Sequence, residues 1–163
     1  MDDVVWEIYE SPIGPLTLVG GEAGLRGLWF PGKTPTPPES ARAPLPAVTA
    51  QLDAYFAGEL ADFDIELDLR GTEFQRRVWT ALLTIPYGET RSYGEIAAQI
   101  GAPGSARAVG LANGHNPIAI IVPCHRVIGA SGSLTGYGGG LDRKRTLLEL
   151  EKRRASVNLT LFD

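Results

Sequence analysis

Ser92-Tyr93-Gly94-Glu95-Ile96-Ala97-Ala98-Gln99-Ile100-Gly101-Ala102-Pro103-Gly104-Ser105-Ala106-Arg107-Ala108-Val109-Gly110 decides the fold of this chain. Ser92 predicts the cap of a helix running to about Ile100. Gly101-Ala102-Pro103-Gly104 predicts a tight connection, and Ser105 the cap of a second helix to about Gly114. Two short helices joined by a glycine-containing turn suggest a helix-turn-helix unit. Ala102, Ala106, Gly110 and Gly114 recur every four residues, which leaves one face nearly bare. Such a face suits close helix packing, or a slim helix entering a narrow groove.

Working outward, Thr72 to Leu83 predicts a helix capped by Thr72, facing inward through Phe74, Val78, Trp79, Leu82 and Leu83. Leu141 to Arg154 predicts a last helix. The stretch before Gly71 has a different character. Val4 to Glu10, Leu16 to Val19 and Leu25 to Phe30 read as strands separated by glycine-rich turns. Pro31 to Pro46 is a proline-rich irregular loop. Ala47 to Gly58 predicts a helix with Leu52, Tyr55 and Phe56 inward, and Phe63 to Leu69 alternates like an exposed-face strand. The expected class is α+β: a small N-terminal α/β domain over 1–70, a mainly helical domain over 71–155, and a tail over 156–163.

The bulk properties narrow the function. The chain has 163 residues, 44% of them hydrophobic, enough for a packed core. No apolar stretch approaches a membrane span. The start, Met1-Asp2-Asp3, has no secretory pattern, so the expected location is the cytoplasm. One cysteine excludes an internal disulfide; with only two histidines it also argues against structural zinc. Net charge is −4, but it is unevenly spread. Residues 1–70 hold 4 Lys/Arg against 12 Asp/Glu, whereas residues 71–163 hold 11 against 7. A modestly positive second half can neutralise phosphates. The alternative is that Arg143, Lys144, Arg145, Lys152, Arg153 and Arg154 simply solvate one helix.

The single thiol lies in Ile121-Val122-Pro123-Cys124-His125-Arg126-Val127-Ile128. Free cysteines are mostly inert packing residues. Here a proline fixes the backbone before the thiol, and an imidazole follows it. A thiol beside an imidazole pairs a candidate nucleophile with a candidate base. Adjacent strand residues point to opposite faces, so a direct contact is awkward and an intervening water would solve it. Asn116, in Asn116-Pro117, either makes a local turn or holds the strand that presents the thiol.

The stretch Asn116 to Ile128 resembles the active-site signature of the O6-alkylguanine-DNA alkyltransferases, also called methylated-DNA–protein-cysteine methyltransferases. Phe74-Gln75-Arg76-Arg77-Val78-Trp79, Ile85-Pro86-Tyr87-Gly88-Glu89-Thr90, Ser92-Tyr93-Gly94-Glu95-Ile96-Ala97, Ala106-Arg107-Ala108-Val109-Gly110 and Leu134-Thr135-Gly136-Tyr137-Gly138-Gly139-Gly140 resemble that family in the same order. Ser11-Pro12-Ile13-Gly14-Pro15-Leu16 does so more loosely.

The resemblance implies a ribonuclease-H-like N-terminal domain and a winged-helix second domain. It implies single-turnover transfer of an alkyl group from O6-alkylguanine, and from O4-alkylthymine, in double-stranded DNA to Cys124. It implies no cofactor, no metal, and no obligate protein partner. His125 would act as base through a water, with Glu151 behind it. Arg107 would be the finger that replaces an everted nucleotide, on a helix in the minor groove. Thr90, Ser92, Ala106, Gly110, Gly114 and Arg126 would be the other DNA contacts. Tyr93, Ala119, Val127, Tyr137 and Gly138 would shape the base pocket, with main-chain carbonyls at Cys124 and Val127 accepting from the exocyclic amine. Tyr93 would also supply a proton to the leaving base. Some relatives have proline where Ala119 stands and serine where Gly138 stands.

Plainer roles exist for several of these residues. Arg107 could be a surface cation, Tyr93 a core aromatic, Arg126 a structural pair, and Glu151 a surface partner of Lys144 or Arg154. Two rival functions follow: a cysteine hydrolase, which needs an oxyanion hole and direct thiol–imidazole contact, and a non-catalytic lesion binder or winged-helix regulator, against which Cys124 itself argues.

Overall fold

A computed structural model describes residues 3–32, 37–134 and 136–162, with side chains described as far as Ser156. Strands β1 (Val5–Ser11), β2 (Gly14–Gly21) and β3 (Gly24–Trp29) form an antiparallel sheet in the order β1-β2-β3. Ser11 pairs with Gly14 across the first turn, where Gly14 takes φ +111°, a value open to glycine. The described part of the proline-rich loop contains a 3₁₀ turn at Glu39–Ala41; residues 33–36 of that expectation lie outside the described residues. Helix α1 (Pro46–Phe56) starts on a proline, which suits a first helical turn because its missing N–H would have no partner there. It buries Val48, Leu52 and Tyr55.

The expected strand at Phe63 to Leu69 does not form. Only Leu67 bridges Leu25, held by Leu25 N to Glu66 O (2.8 Å) and Asp68 N to Leu25 O (2.8 Å). The outer edge of β3 is shared with a second segment. Leu28 N donates to Pro117 O (2.9 Å), and Ala119 N donates to Leu28 O (3.0 Å). The sheet thus grips the approach to the cysteine.

Helices α2 (Glu73–Leu82) and α3 (Tyr93–Gln99) each begin with a reciprocal capping box, Thr72 with Gln75 and Ser92 with Glu95. A two-residue strand β4 (Arg91–Ser92) precedes α3 and pairs in parallel with β5 (Val127–Ile128). Helix α4 (Ala106–Gly114) completes the helix-turn-helix pair. Two expectations fail here. Ser105 makes no side-chain cap, because its ψ of 27° is not the extended geometry that aims a hydroxyl at the first turn. Leu83 is 43% exposed, since α2 ends at Leu82 and the chain turns away.

Helix α5 (Leu141–Phe162) does not stop at Arg154. The expected separate tail from 156 is, as far as Phe162, a continuation of this helix; where its side chains dock lies outside the described residues. A single apolar cluster spans both halves, joining Leu16, Leu28 and Tyr55 to Trp79, Ile96, Ile118 and Leu147. Trp79 Nε1 donates to Ala112 O (2.8 Å) and pins α4 to α2. Fold class is α+β: a three-stranded antiparallel sheet with a helix, then a mainly helical part. Among the described residues no helix is long and apolar enough to cross a membrane.

Candidate active site

The cysteine is delivered by a series of tight turns, not by a strand. Val122 N donates to Ile118 O (3.0 Å), Ile121 N to Ala119 O (2.8 Å), and Cys124 N to Val122 O (2.8 Å). Cys124–Arg126 then forms a 3₁₀ turn. Ile120 takes φ +72°, a left-handed value that a β-branched residue adopts only under constraint. Asn116 supplies part of that constraint: its Nδ2 donates to Val122 O (2.8 Å), and its Oδ1 accepts from Ile118 N (3.0 Å). Asn116 therefore does close a local turn, and that turn presents the thiol.

Cys124 is 5% exposed and forms part of the wall of a cavity of about 300 Å³. Asn113, Gly114 and Asn116 come to that wall from the end of α4 and beyond; Ala119, Tyr137 and Gly138 face them. The end of β3 and the residue after it contribute Trp29 and Phe30. The volume sits at the low end for ligand pockets, about 300–1,000 Å³, and suits a compact ring system. A larger depression of about 500 Å³ near Gly21 and Glu66 has no nucleophile and lies apart from this chemistry.

Behind the thiol lies a buried polar network. His125 and Glu151 are 0% and 1% exposed, and His125 Nε2 lies 2.7 Å from Glu151 Oε2. Arg126 Nε donates to Glu151 Oε1 (2.8 Å), its Nη2 to Oε2 (3.1 Å), and its Nη1 to Ile85 O (2.7 Å). Tyr55, on α1, donates its hydroxyl to Glu151 Oε2 (2.5 Å). Lys144, fully buried, donates to Val127 O (2.6 Å).

Protonation follows from these contacts. Burial pushes the Glu151 carboxyl upward, but His125 and Arg126 outweigh it and hold it at about 2. An ionised carboxylate only accepts, so His125 carries its proton on Nε2. Its Nδ1 is buried with no hydrogen-bond partner among the described residues, leaving that lone pair available as a base. Burial holds His125 below its ordinary value in spite of Glu151, so the ring is neutral at neutral pH. Burial also raises Cys124, against the pull of the Asn116 side chain and the Lys144 charge. The resting thiol is protonated, and it needs somewhere to send its proton. Tyr137 Oη makes no hydrogen bond of good geometry among the described residues, yet phenol and thiol lie near enough to shift each other's titration.

The other expected site residues divide. Ala106, Arg107, Gly110 and Gly114 lie on α4; Arg107 is exposed, and its side chain has no partner among the described residues. Gly114 opens to free space, so the bare face is real there. At Gly110 the space is limited by the Tyr93 ring, 3.8 Å from where a Cβ would stand. Thr90 is exposed just before β4, and Ser92 caps α3. One expectation is corrected. Arg126 is 6% exposed, with its guanidinium bound to Glu151 and Ile85, so it is a structural pair and not a phosphate contact. Val127 is fully buried, and its carbonyl accepts from Lys144 Nζ (2.6 Å). Tyr93 is half-buried against α4, its ring 3.8 Å from where a Cβ of Gly110 would stand.

The cation cluster on α5 divides: Arg145, Lys152 and Arg153 are exposed, whereas the other three bind main-chain carbonyls. Lys144 is buried, Arg143 donates to Ile13 O (2.8 Å) and Gly139 O (3.1 Å), and Arg154 donates to Ala57 O. Glu151 is not a surface partner of Lys144 or Arg154. Among the described residues no cluster of His, Cys, Asp and Glu could hold a metal.

Sequence reasoning missed Tyr55, Lys144 and Asn113. Lys144 lies seven residues before Glu151, two helical turns along one face, and that spacing could have found it. Asn113 follows Val109 by four residues and shares its inward side. Nothing local links Tyr55 to a carboxylate 96 residues away.

Fold and site together define a helix-turn-helix protein with a buried thiol beside a buried histidine–carboxylate pair, in a cavity that the end of α4 helps to line. Comparison with known proteins narrows this. Residues 73–153 match the DNA binding domain of the 6-O-methylguanine DNA methyltransferases, and residues 4–69 match their ribonuclease-like domain. The methylated-DNA–protein-cysteine methyltransferase of Mycobacterium tuberculosis is 70% identical over 158 residues, covering 94% of this chain and 96% of that one. Its namesake in Methanosarcina acetivorans is 58% identical over 151 residues, covering 90% and 97%. A crystal structure of M. tuberculosis OGT in complex with DNA superposes with TM-score 0.87 at 68% identity, covering 97% and 99%. The chain belongs to the methylated-DNA–protein-cysteine methyltransferase family.

Proposed function

We propose that this protein repairs O6-alkylguanine in double-stranded DNA by moving the alkyl group to Cys124, once per molecule. The observation that carries the reading is the buried thiol at a base-sized cavity, followed in the chain by a carboxylate-oriented histidine whose Nδ1 has no hydrogen-bond partner among the described residues. The thiol proton passes to His125 Nδ1 through a water. The thiolate attacks the alkyl carbon, the S–C bond forms, and the C–O6 bond breaks. The proton then returns to the departing guanine. Atoms and charge balance without a cofactor. The product is a thioether with no good leaving group, and no second cysteine exists to remove the alkyl group.

A base inside a duplex hides its O6 from any thiol, so the nucleotide must be everted. Arg107, exposed on the slim α4, fills the vacated stack, where a planar guanidinium offsets part of the unstacking cost. Gly114 lets the backbone approach the minor-groove floor, and Thr90, Ser92 and Ala106 flank the backbone contacts. Tyr137, Gly138 and Ala119 enclose the base. Free thiols persist in reducing compartments, which fits action in the cytoplasm.

With methylated duplex in excess, methyl groups removed per protein should level off at one. Continued removal would favour the hydrolase reading. Ala119 is 7% exposed in the cavity wall, and a larger side chain there would narrow the space. Ala119→Val, which keeps the N–H bound to Leu28 O, should therefore slow transfer of a benzyl group more than of a methyl group, by roughly tenfold for the loss of one good packing contact. An unchanged benzyl rate would remove Ala119 as a determinant.

The pH dependence has a definite sign. His125 is held below its ordinary 6.5, so the base stays free through neutral pH. The transfer rate constant should be level from about pH 8 to about pH 6.5, and fall in more acid solution as the imidazole charges. Quenched-flow measurement across that range checks this. A rate falling already between pH 8 and pH 7 would mean a histidine with a raised value, the opposite of the buried neutral ring.

A further inference from the structure

The donors on Glu151 are unevenly shared between its two oxygens. Oε1 accepts from Arg126 Nε (2.8 Å). Oε2, the oxygen that holds the imidazole, accepts from His125 Nε2 (2.7 Å), Arg126 Nη2 (3.1 Å) and the Tyr55 hydroxyl (2.5 Å). Tyr55 is 0% exposed, and its ring is wedged among Phe56, Phe63 and Tyr87, with centroids 5.2, 5.3 and 6.3 Å away. The hydroxyl is therefore fixed in place. Burial, and then the charge of Glu151, push the phenol well above 10, so it stays protonated and donates.

A buried phenol needs an acceptor, and Oε1 would serve it as well. The bond falls on Oε2, and that has a consequence for the ring beyond. A carboxylate oxygen that accepts one strong hydrogen bond has less charge to offer its other donors. Oε2 then pulls less on the Nε2 proton, and the charged imidazole is favoured less. Burial keeps the ring neutral against the pull of Glu151, and the Tyr55 bond moderates that pull.

We infer that Tyr55 is a positioning residue for the transfer: through Glu151 Oε2 it loosens the carboxylate's hold on His125 and keeps the Nδ1 lone pair free to take the thiol proton. This rests on the alkyl-transfer reading above. Thiol, imidazole and carboxylate all lie in the DNA-binding part of the chain, whereas Tyr55 stands on α1 of the ribonuclease-like part. The base is thus completed across the two. Other charges and phenols face the same pair: Arg126 from the same turn, Lys144 and Arg154 from α5, Tyr87 from the loop before β4, and Tyr137. Changing the Tyr55 hydroxyl leaves all of them in place, so a shift in the titration of His125 reports the Oε2 bond.

The test compares the parent with Tyr55→Phe, which lacks the hydroxyl, and with 3-fluorotyrosine placed at position 55, which is a stronger donor of nearly the same shape. Single-turnover methyl transfer from an O6-methylguanine duplex is followed from about pH 8 to about pH 5, normalised to active protein. The His125 ring is titrated by NMR in the same proteins; with two histidines in the chain its signals are readily assigned. Tyr55→Phe should move both the acid limb of the rate and the ring titration to higher pH by roughly half a unit or more, part of the one to two units that a hydrogen bond to a charged group is worth. The fluorinated protein should move both to lower pH. If Tyr55→Phe does not fold, the fluorinated protein decides alone. Coincident limbs and titrations, even with a rate lowered equally at every pH, would make Tyr55 merely structural and overturn the inference. A parent that takes no methyl group at any pH would overturn the alkyl-transfer reading instead, with the ring titration still deciding whether Tyr55 acts on His125.

Discussion

Cys124→Ser should abolish methyl transfer while leaving lesion binding in place. A serine hydroxyl is a far weaker acid than a thiol, and the neutral His125 that can deprotonate sulfur cannot deprotonate it. The substitution changes one atom in a wall that is otherwise intact, so folding should be nearly unaffected. The cavity, Arg107 and α4 remain to hold the everted nucleotide. The variant is expected to form a lasting non-covalent complex with an O6-methylguanine duplex, seen as a shifted band in a gel, with the lesion still chemically present afterwards. Any methyl transfer by this variant would mean that another atom is the acceptor.

Glu151→Gln should damage both stability and rate. The carboxylate sits at the centre of the buried network and takes hydrogen bonds from His125, Arg126 and Tyr55. An amide removes the charge and leaves the Arg126 guanidinium buried with only neutral partners. Uncompensated buried charges of this kind cost about 3–5 kcal/mol, which for a chain of this length lowers the melting temperature by roughly 10 °C or more. The amide can also present an N–H to Nε2, which would move the imidazole proton to Nδ1 and block the base. Losing a positioned general base costs at least about 100-fold in rate. Rates should be measured well below the melting temperature, normalised to active protein. A variant melting and reacting like the parent would show that Glu151 neither balances Arg126 nor orients His125.

The same carboxylate predicts an acid-stability window. Its folded value of about 2 lies below the ordinary 4.5, so its contribution is complete above 4.5 and drains away as pH falls towards 2. The gap corresponds to roughly 3 kcal/mol. His125 adds to this at higher pH. Its folded value is depressed, so the unfolded chain takes up the proton first, and stability begins to fall once pH drops below 6.5. In Glu151→Gln the lower window should disappear.

Much of this molecule is written in short-range chemistry. Thr72 and Ser92 announce their helices because an extended residue with a hydroxyl caps the turn that follows, and both form capping boxes. Ser105 has the same side chain but not the same backbone, because the chain reaches it from Gly104 at φ +88°. The alternation at Phe63 to Leu69 is equally misleading: only Leu67 finds a free place on the edge of β3, since Ile118 takes the next.

The run Ile118-Ala119-Ile120-Ile121-Val122 has the composition of a strand. It becomes a set of turns because Asn116 bonds across it and Ile120 is held left-handed. Those are tertiary constraints, invisible to local preference. The thiol, the histidine and helix α4 were legible from order and spacing. The Tyr55–Glu151 contact and the burial of Arg126 were not, because each depends on packing between distant elements.

The most direct test is the intact mass of the protein after exposure to an O6-methylguanine duplex, followed by mapping of the modified peptide. A gain of one methylene, confined to Cys124 and reached by one molecule for each lesion erased, is the result expected here. Erasure of the lesion with no change in protein mass, or a methyl group found on another side chain, would contradict the account.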